Sequence, residues 1–170
     1  MSTAPRVALQ TEWDDVGGMS EPGKMPGYAI STPAYKCRVG SKLRAIPGST
    51  CSECYALEGR YLFSNVINAL KRRYARLDSP TWVQSMATLI NTLCVKVPYF
   101  RWHDAGDIQS IDHLDNIVHV ARLTPTVSHW LPTREYAMVK RYRETIGNIP
   151  PNLTIRLSAH MVDVMPPMAI

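Results

Sequence analysis

The chain has 170 residues, which is long enough for one domain with a hydrophobic core of its own. Apolar residues make up 45% and charged residues 19%, a composition that excludes intrinsic disorder. The formal charge of +5 permits a nucleic-acid or phosphate partner without requiring one. No apolar run approaches the roughly 20 residues of a bilayer span, and the first residues lack the apolar segment of a signal peptide. We therefore expect no membrane association and a cytoplasmic protein, in which disulfides are rare.

The first third of the chain lacks regular periodicity. Glycines and prolines are frequent in residues 1–36, which predicts an irregular arm with one short strand near 28–32. Residues 37–60 are rich in Gly, Ser and Pro and hold three of the four cysteines. This loop exceeds the roughly 12–15 residues of an ordinary unstructured connection, so we expect a further interaction to hold it in place.

Residues 61–160 show regular alternation of helices and strands. Apolar residues at helical spacing predict helices over 67–77, 82–93, 111–121 and 136–147. Ser79 with Pro80 and Ser110 are the predicted starts of two of them, and Gly147 is the predicted stop of the last. Runs rich in β-branched and aromatic residues predict strands over 97–103, 126–131 and 153–157.

This alternation indicates βα units and a parallel sheet within a single domain of residues 1–170. The expected fold class is α/β, as a partial (half) TIM-like barrel or a small open sheet, with an irregular N-terminal arm. In both architectures, functional residues collect at the carboxyl ends of the parallel strands.

The three loop cysteines are the strongest functional signal. Thirteen residues separate Cys37 from Cys51, and two separate Cys51 from Cys54. A C-x-x-C pair serves as a redox dithiol, as half of a zinc site or in an iron–sulfur site, and the third cysteine in the same loop favours metal binding. Three cysteines without an evident fourth match a [4Fe–4S] cluster that keeps one iron for another ligand. Cys94 lies in an apolar helical pattern, which predicts a core residue.

Polar residues follow each predicted strand from 97 onward. His103 and Asp107 follow one strand, Arg134 the next and His160 the last. Because parallel strands present their carboxyl ends on one side, we expect these four side chains to converge near the cysteine loop. His103 is a candidate ligand of the fourth iron. Asp107 taken alone is typical of a turn or a helix start.

A basic run at 71–76, KRRYAR, lies on a predicted helix. A solvated helix face is the simpler interpretation of such a run. The alternative is a surface that contacts nucleic acid or a host protein.

Five segments occur in a recognisable order: GKMPGY at 23–28, Cys37, CSECYA at 51–56, RWHDAGD at 101–107 and LPTR at 131–134. The set resembles a family of small phage and prophage proteins that look like a reduced radical S-adenosylmethionine (SAM) barrel. The resemblance runs from about residue 17 to about residue 160. It depends on the order of the segments, since C-x-x-C-Y-A alone is short.

The resemblance implies a [4Fe–4S] cluster held by the three loop cysteines. It also implies SAM as a second cofactor, bound near Gly106, Asp107 and Arg134, because the Ala-Gly-Asp segment would correspond to the Gly-Gly-Glu-like segment that holds the SAM amine. The usual radical-SAM spacing is C-x3-C-x2-C, from which this chain departs. The sequence therefore predicts an iron–sulfur protein with an electron-transfer or a degenerate radical-SAM role. The alternative is a zinc-stabilised phage protein that binds nucleic acid or a host protein, and a phage origin would place it in the host cytoplasm.

Overall fold

The computed structural model describes residues 9–23 and 25–168 of the chain. Six α-helices and four β-strands form the framework of these residues. In chain order they are α1 (Gln10–Val16), β1 (Tyr28–Ile30), α2 (Arg38–Leu43), α3 (Ser64–Arg76), α4 (Trp82–Leu93), β2 (Tyr99–Trp102), α5 (Ile111–Leu123), β3 (Ser128–Thr133), α6 (Tyr136–Thr145) and β4 (Leu153–Leu157). Short 3₁₀ turns lie at Ala34–Lys36, Tyr55–Leu57 and Gly59–Leu62.

The four strands form one open, all-parallel sheet in the order β1-β2-β3-β4. The strand order follows the chain, so right-handed crossovers place the intervening helices on one face of the sheet. This is the strand order of half a (βα)₈ barrel that does not close. The predicted α/β class with an open parallel sheet is confirmed.

The hydrophobic core lies between the sheet and these helices. Phe100 and Trp102 of β2 and Leu131 of β3 point into it, and Trp82 and Met86 of α4 meet them from the helix layer. Trp82 and Trp102 are fully buried, with ring centroids 6.0 Å apart. Residues at the alternate strand positions, such as Tyr99, face away from the helices and are accessible.

The N-terminal arm is more regular than expected. The prediction of an irregular arm over 1–36 is wrong for Gln10–Val16, which forms α1. The first eight residues of the arm lie outside the described part of the chain. Trp13 and Val16 pack into the core, which stabilises a helix too short to form alone. Gly17 then ends the helix in a left-handed conformation, with φ of 74°. The strand expected near 28–32 is present as Tyr28–Ile30.

Two predicted helix starts have different outcomes. Ser110 caps α5 as expected, because its hydroxyl accepts a hydrogen bond from the His113 N–H at 3.0 Å. The start predicted at Ser79 is early, since α4 begins at Trp82 and the Ser79 hydroxyl instead meets that of Thr81 at 3.0 Å.

Among the described residues, no helix combines the length and the apolar character that a bilayer crossing requires.

A buried histidine joins two strands to the helix layer. The indole N–H of Trp102 donates to Nδ1 of His129 at 3.2 Å, so His129 Nε2 carries the proton and donates to the Thr124 hydroxyl at 2.7 Å. Burial lowers the pKa of His129 to about 4. The ring is therefore neutral in the folded protein at physiological pH.

We expect this histidine to make folding stability depend on pH. Its pKa of about 4 in the folded state lies below the ordinary value of 6.5, so the unfolded chain takes up the proton first as the pH falls. Each unit of pKa shift is worth about 1.36 kcal/mol, so the histidine contributes roughly 3 kcal/mol to the free energy of unfolding. This contribution is complete above pH 6.5 and is lost toward pH 4. Asp107 acts in the opposite direction, because burial raises the pKa of its carboxyl to about 6.

Urea unfolding between pH 4.5 and 7.5 measures this effect. Because the wild type and the variants all contain Asp107, its effect on the pH dependence cancels when their slopes are compared. His129→Gln should flatten the rise of unfolding free energy with pH, although it also lowers stability. The matched variant His119→Gln changes an exposed histidine and should leave the slope as in the wild type. Equal slopes in both variants would contradict the assignment.

Candidate functional site

The three loop cysteines line one cavity of about 310 Å³ at the carboxyl edge of the sheet. His103, Asp107 and Arg134, from the segments after β2 and β3, line the same cavity. Three of the four strand-end side chains expected to converge here therefore do so. The fourth, His160, lies just behind: its Nε2 is 2.9 Å from the carbonyl oxygen of Arg134.

Gly40 of α2 brings two of the sulfur atoms together. A β-carbon at this position would lie 3.7 Å from Sγ of Cys37 and 3.5 Å from Sγ of Cys51. The glycine thus leaves open the space that both thiols face. The helix that carries it also corrects the interpretation of 37–60 as a continuous loop, because residues Arg38–Leu43 form one and a half turns of α-helix.

The rest of the cysteine loop is held by the segment that follows β4. Thr50 is the centre of this contact: its N–H donates to the His160 carbonyl at 2.9 Å and its hydroxyl to the Ala159 carbonyl at 2.8 Å. The Arg134 Nε–H donates to the Thr50 hydroxyl at 2.9 Å. An isolated antiparallel bridge between Ser49 and Met161 continues the contact. These bonds supply the interaction expected to hold so long a loop.

The pKa values of two of the thiols, Cys37 and Cys51, are raised, so both are protonated at neutral pH. Burial, followed by the nearby Asp107 carboxylate and the other two cysteines, raises the pKa of the Cys37 thiol to about 12. Burial also raises the pKa of Cys51, and the Arg134 guanidinium partly offsets that rise. Each of these sulfurs responds to the charge of its neighbours, as expected for groups that face one cavity.

His103 combines two unfavourable features. Its φ of 57° places a non-glycine residue in the left-handed region, at a cost of about 1–3 kcal/mol. Its ring is 4% exposed, and neither ring nitrogen has a hydrogen-bond partner among the described residues. Burial, with smaller contributions from His113 and Arg101, lowers the pKa of His103 well below 6.5. The side chain is therefore a neutral imidazole with an unused lone pair at the edge of the cysteine cavity.

Asp107 is firmly held by the protein. Its Oδ1 accepts from the Thr133 hydroxyl at 2.6 Å and from the Ile108 N–H at 2.8 Å, and its Oδ2 accepts from the Arg134 N–H at 2.9 Å. These bonds tie the loop after β2 to the end of β3. One lone pair of Oδ2 is left for a further partner.

Gly106 allows a close backbone contact. With φ of +85°, it approaches Thr32 so closely that a β-carbon would lie 2.0 Å from the threonine hydroxyl oxygen. The loop after β2 is thereby packed directly against the segment after β1.

A scan against protein-family models matched residues 11–165 to the model described as gene product 88. The match covers the loop cysteines and all of the strand-end residues. The chain belongs to the gene product 88 family. This is a family of phage type, which agrees with the resemblance to phage proteins. No curated protein and no solved structure matched the chain.

The family assignment carries no cofactor, so the iron–sulfur and radical-SAM interpretations stay predictions for this gene product 88 protein. Within residues 9–23 and 25–168, no three His, Cys, Asp or Glu side chains are arranged to hold a single metal ion. The cavity thus gathers three thiols, but they are not placed close enough together to surround a single metal ion.

Three cavity residues were not singled out as site residues by the sequence analysis. Tyr55 donates a hydrogen bond from its hydroxyl to the backbone carbonyl of Asp104. Trp130 of β3 lies beside Arg101 of β2, and both line the cavity. The sequence alone could place Arg101 and Trp130 on the same face of the sheet, since alternate positions of a strand share a face. That the two residues are direct neighbours follows only from the register between β2 and β3.

The basic helix of this gene product 88 protein is partly structural. Arg73 is 7% exposed, and its Nε–H donates to the Gly18 carbonyl at 3.0 Å. Its neighbours Arg72 and Arg76 are exposed. Arg73 is therefore unavailable to solvent or to nucleic acid, and three of the four charges of the basic run remain accessible.

Cys94 lies apart from the cavity, in the main hydrophobic core, and is 1% exposed. Burial raises the pKa of its thiol to about 11. Cys94→Ala removes one buried heavy atom, and we expect it to lower the free energy of unfolding by roughly 1 kcal/mol. Urea denaturation measures this change, and metal analysis of the same sample should show the wild-type metal content. Loss of metal in this variant would make Cys94 a ligand.

Proposed function

We propose that this gene product 88 protein binds a [4Fe–4S] cluster through Cys37, Cys51 and Cys54. The observation that carries the proposal is the meeting of three thiols, two of them separated by thirteen residues, in one cavity of a parallel α/β scaffold. Bound iron would hold these sulfurs as thiolates, and its positive charge would offset the cost that burial places on the thiolates of Cys37 and Cys51.

A cluster accounts for the arrangement better than a single ion does. A tetrahedral zinc site needs four ligands in direct contact with one metal, at about 2.3 Å for each sulfur. The described residues contain no group of that kind. A cubane is larger and attaches each cysteine to a different iron, so its ligands need only border the same cavity. The open space next to Gly40 supports this choice.

His103 is proposed as the ligand of the remaining iron. A neutral imidazole is a common metal ligand, and its metal-free ring otherwise leaves two buried nitrogens without partners. A metal bond would compensate for this loss and for the strained backbone. A cluster with four protein ligands favours electron transfer, because no iron is then free for a substrate.

SAM is the alternative occupant of that iron. Support for it comes from the cavity volume and from the free lone pair of Asp107, next to Gly106. The backbone N–H of Arg134 is already bonded to Asp107, and the Arg134 side chain is bonded to Thr50. Of the residues expected to bind SAM, Asp107 therefore offers one carboxylate while Arg134 is already engaged, which favours the electron-transfer role.

Anaerobic purification and reconstitution test the proposal. Protein loaded with iron and sulfide should be brown, contain both elements at cluster stoichiometry and show a reducible cluster by electron paramagnetic resonance. His103→Ala should change that resonance signal while the three thiols retain the iron. Protein that contains zinc after anaerobic preparation, without labile sulfide, would overturn the cluster and support the zinc-stabilised alternative.

Calorimetry with SAM on loaded protein separates the two roles. An electron-transfer site with His103 on the fourth iron should give no binding at millimolar SAM in the wild type. Binding that is lost in Asp107→Asn would instead support the degenerate radical-SAM role. Because Asp107 also ties two loops together, circular dichroism must show that the variant is folded.

A further inference from the structure

The face of the sheet opposite the helices is open. Side chains at the alternate positions of β2, β3 and β4 lie on it: Tyr99, Arg101, Ser128, Trp130, Pro132, Thr154 and Arg156. Tyr99 is 53% exposed, and Arg156 is also exposed. In a closed barrel this face would be interior. Here the cysteine loop borders its carboxyl end and Met25 and Pro26 border Tyr99, while no helix packs over it; we name it the open face.

An arginine stacked on a tryptophan lies at its centre. Arg101 and Trp130 are direct neighbours across β2 and β3, and the guanidinium carbon lies 4.8 Å from the indole ring centroid. Arg101 forms no ion pair with a described carboxylate within 4 Å; burial raises the pKa of nearby Asp104, and the charge of Arg101 only partly offsets that rise. Its Nε–H is buried without a described acceptor. The cation is therefore held in a fixed orientation with donor capacity unused.

Charge and shape along the open face indicate an anionic, flat ligand. Its strand side chains include two arginines and no carboxylate. Trp130 of β3 supplies aromatic surface between the strands that carry the two arginines, and Tyr99 extends it two residues before Arg101 on β2. A second cavity, of about 250 Å³, is lined by Tyr99 and Met25 and shares Arg101 and Trp130 with the cysteine cavity. The open face thus continues into the candidate metal site.

We propose that the open face binds single-stranded nucleic acid. Aromatic side chains stack on bases, which are accessible only in unpaired strands, and arginines interleaved with them neutralise phosphates. Trp130 and Tyr99 would stack the bases, and Arg101 and Arg156 would contact the backbone. Binding on the sheet needs no metal, so this proposal does not depend on the proposed cluster.

Fluorescence anisotropy with labelled single-stranded RNA and DNA of about 12 nucleotides tests this proposal. Binding should weaken with salt. Trp130→Ala should weaken binding at least 5-fold, the lower end of what one lost base stack is worth. Arg156→Ala should also lower the slope of log affinity against log salt by about 0.7. Arg156 is exposed on a strand, so its loss leaves the core intact.

Two control variants locate the surface. Arg141→Ala removes an exposed arginine of α6 and should leave affinity unchanged. The pair Arg72→Ala with Arg76→Ala removes the exposed charge of the basic helix α3. If this pair abolishes binding while Trp130→Ala does not weaken it, the open face is not the binding surface. Absence of binding to either nucleic acid at 50 mM salt, with an acidic protein or peptide bound instead, would also overturn the proposal.

Cluster-free protein separates this proposal from the previous one. Cys51→Ala removes a proposed cluster ligand that does not lie on the open face, and it should bind nucleic acid as the wild type does. Wild-type protein that lacks iron but binds the oligonucleotide would refute only the cluster. Iron-loaded protein without affinity for nucleic acid would refute only the open face.

Discussion

Cys51→Ser is expected to abolish cluster assembly in anaerobically reconstituted protein. Cys51 is 7% exposed and faces the space beside Gly40 together with Cys37. A serine hydroxyl is a much weaker ligand for iron than a thiolate, since soft sulfur donors select iron–sulfur clusters. Iron and labile sulfide should fall by at least 10-fold, and the visible colour should be lost.

A matched substitution checks that this loss is specific. Cys94→Ser makes the same chemical change in a cysteine that is also buried but lies in the main core. It should lower stability, because a polar hydroxyl replaces a thiol in the apolar core, yet it should retain iron and sulfide. Equal loss of iron in both variants would mean that the loss is not specific to Cys51. Retention of iron in both would exclude Cys51 as a ligand.

Gly106→Ala is expected to lower the free energy of unfolding by at least about 3 kcal/mol. A β-carbon here would lie 2.0 Å from the Thr32 hydroxyl oxygen and 2.6 Å from the Thr32 carbonyl oxygen. The second of these atoms belongs to the backbone of a segment held against the loop after β2, because the Thr32 N–H donates to the Ala105 carbonyl at 3.0 Å. The clash adds to the strain of alanine at φ of +85°.

Gly59→Ala separates the two contributions. Gly59 has φ of +53° but nothing within 4 Å of the position that a β-carbon would take. It should lose about 1 kcal/mol, the cost of the left-handed conformation alone. Chemical denaturation of both variants gives the comparison. Similar losses at the two positions would show that the Thr32 segment moves aside.

Much of the fold was predictable because the periodic signal is strong after residue 60. The strand at Leu153–Leu157 was predicted with its exact bounds, and the cap at Ser110 was confirmed by a hydrogen bond. Helix α1 was missed. The glycines and prolines that follow it begin only at Gly17, and the helix is stabilised by tertiary contacts of Trp13 and Val16, which local sequence does not reveal.

The candidate site was predictable in position more than in detail. Because parallel strands share a carboxyl edge, His103, Asp107 and Arg134 could be predicted to lie near the cysteine loop, and they line the same cavity. It could not show that Asp107 is engaged by three protein donors or that His103 has none. These properties depend on the distances between loops that are far apart in sequence. The Arg101–Trp130 pair likewise required the register of β2 against β3.

The contacts of Thr50 with the Ala159 and His160 carbonyls have a consequence for how the protein matures in the cell. The cysteines are synthesised early, but the segment that fixes their loop leaves the ribosome about 100 residues later, after several seconds of translation. During that interval the thiols lie on an untethered nascent chain, accessible to oxidants and to adventitious metals. Correct loading of the site should therefore be a post-translational event that follows docking of the last strand.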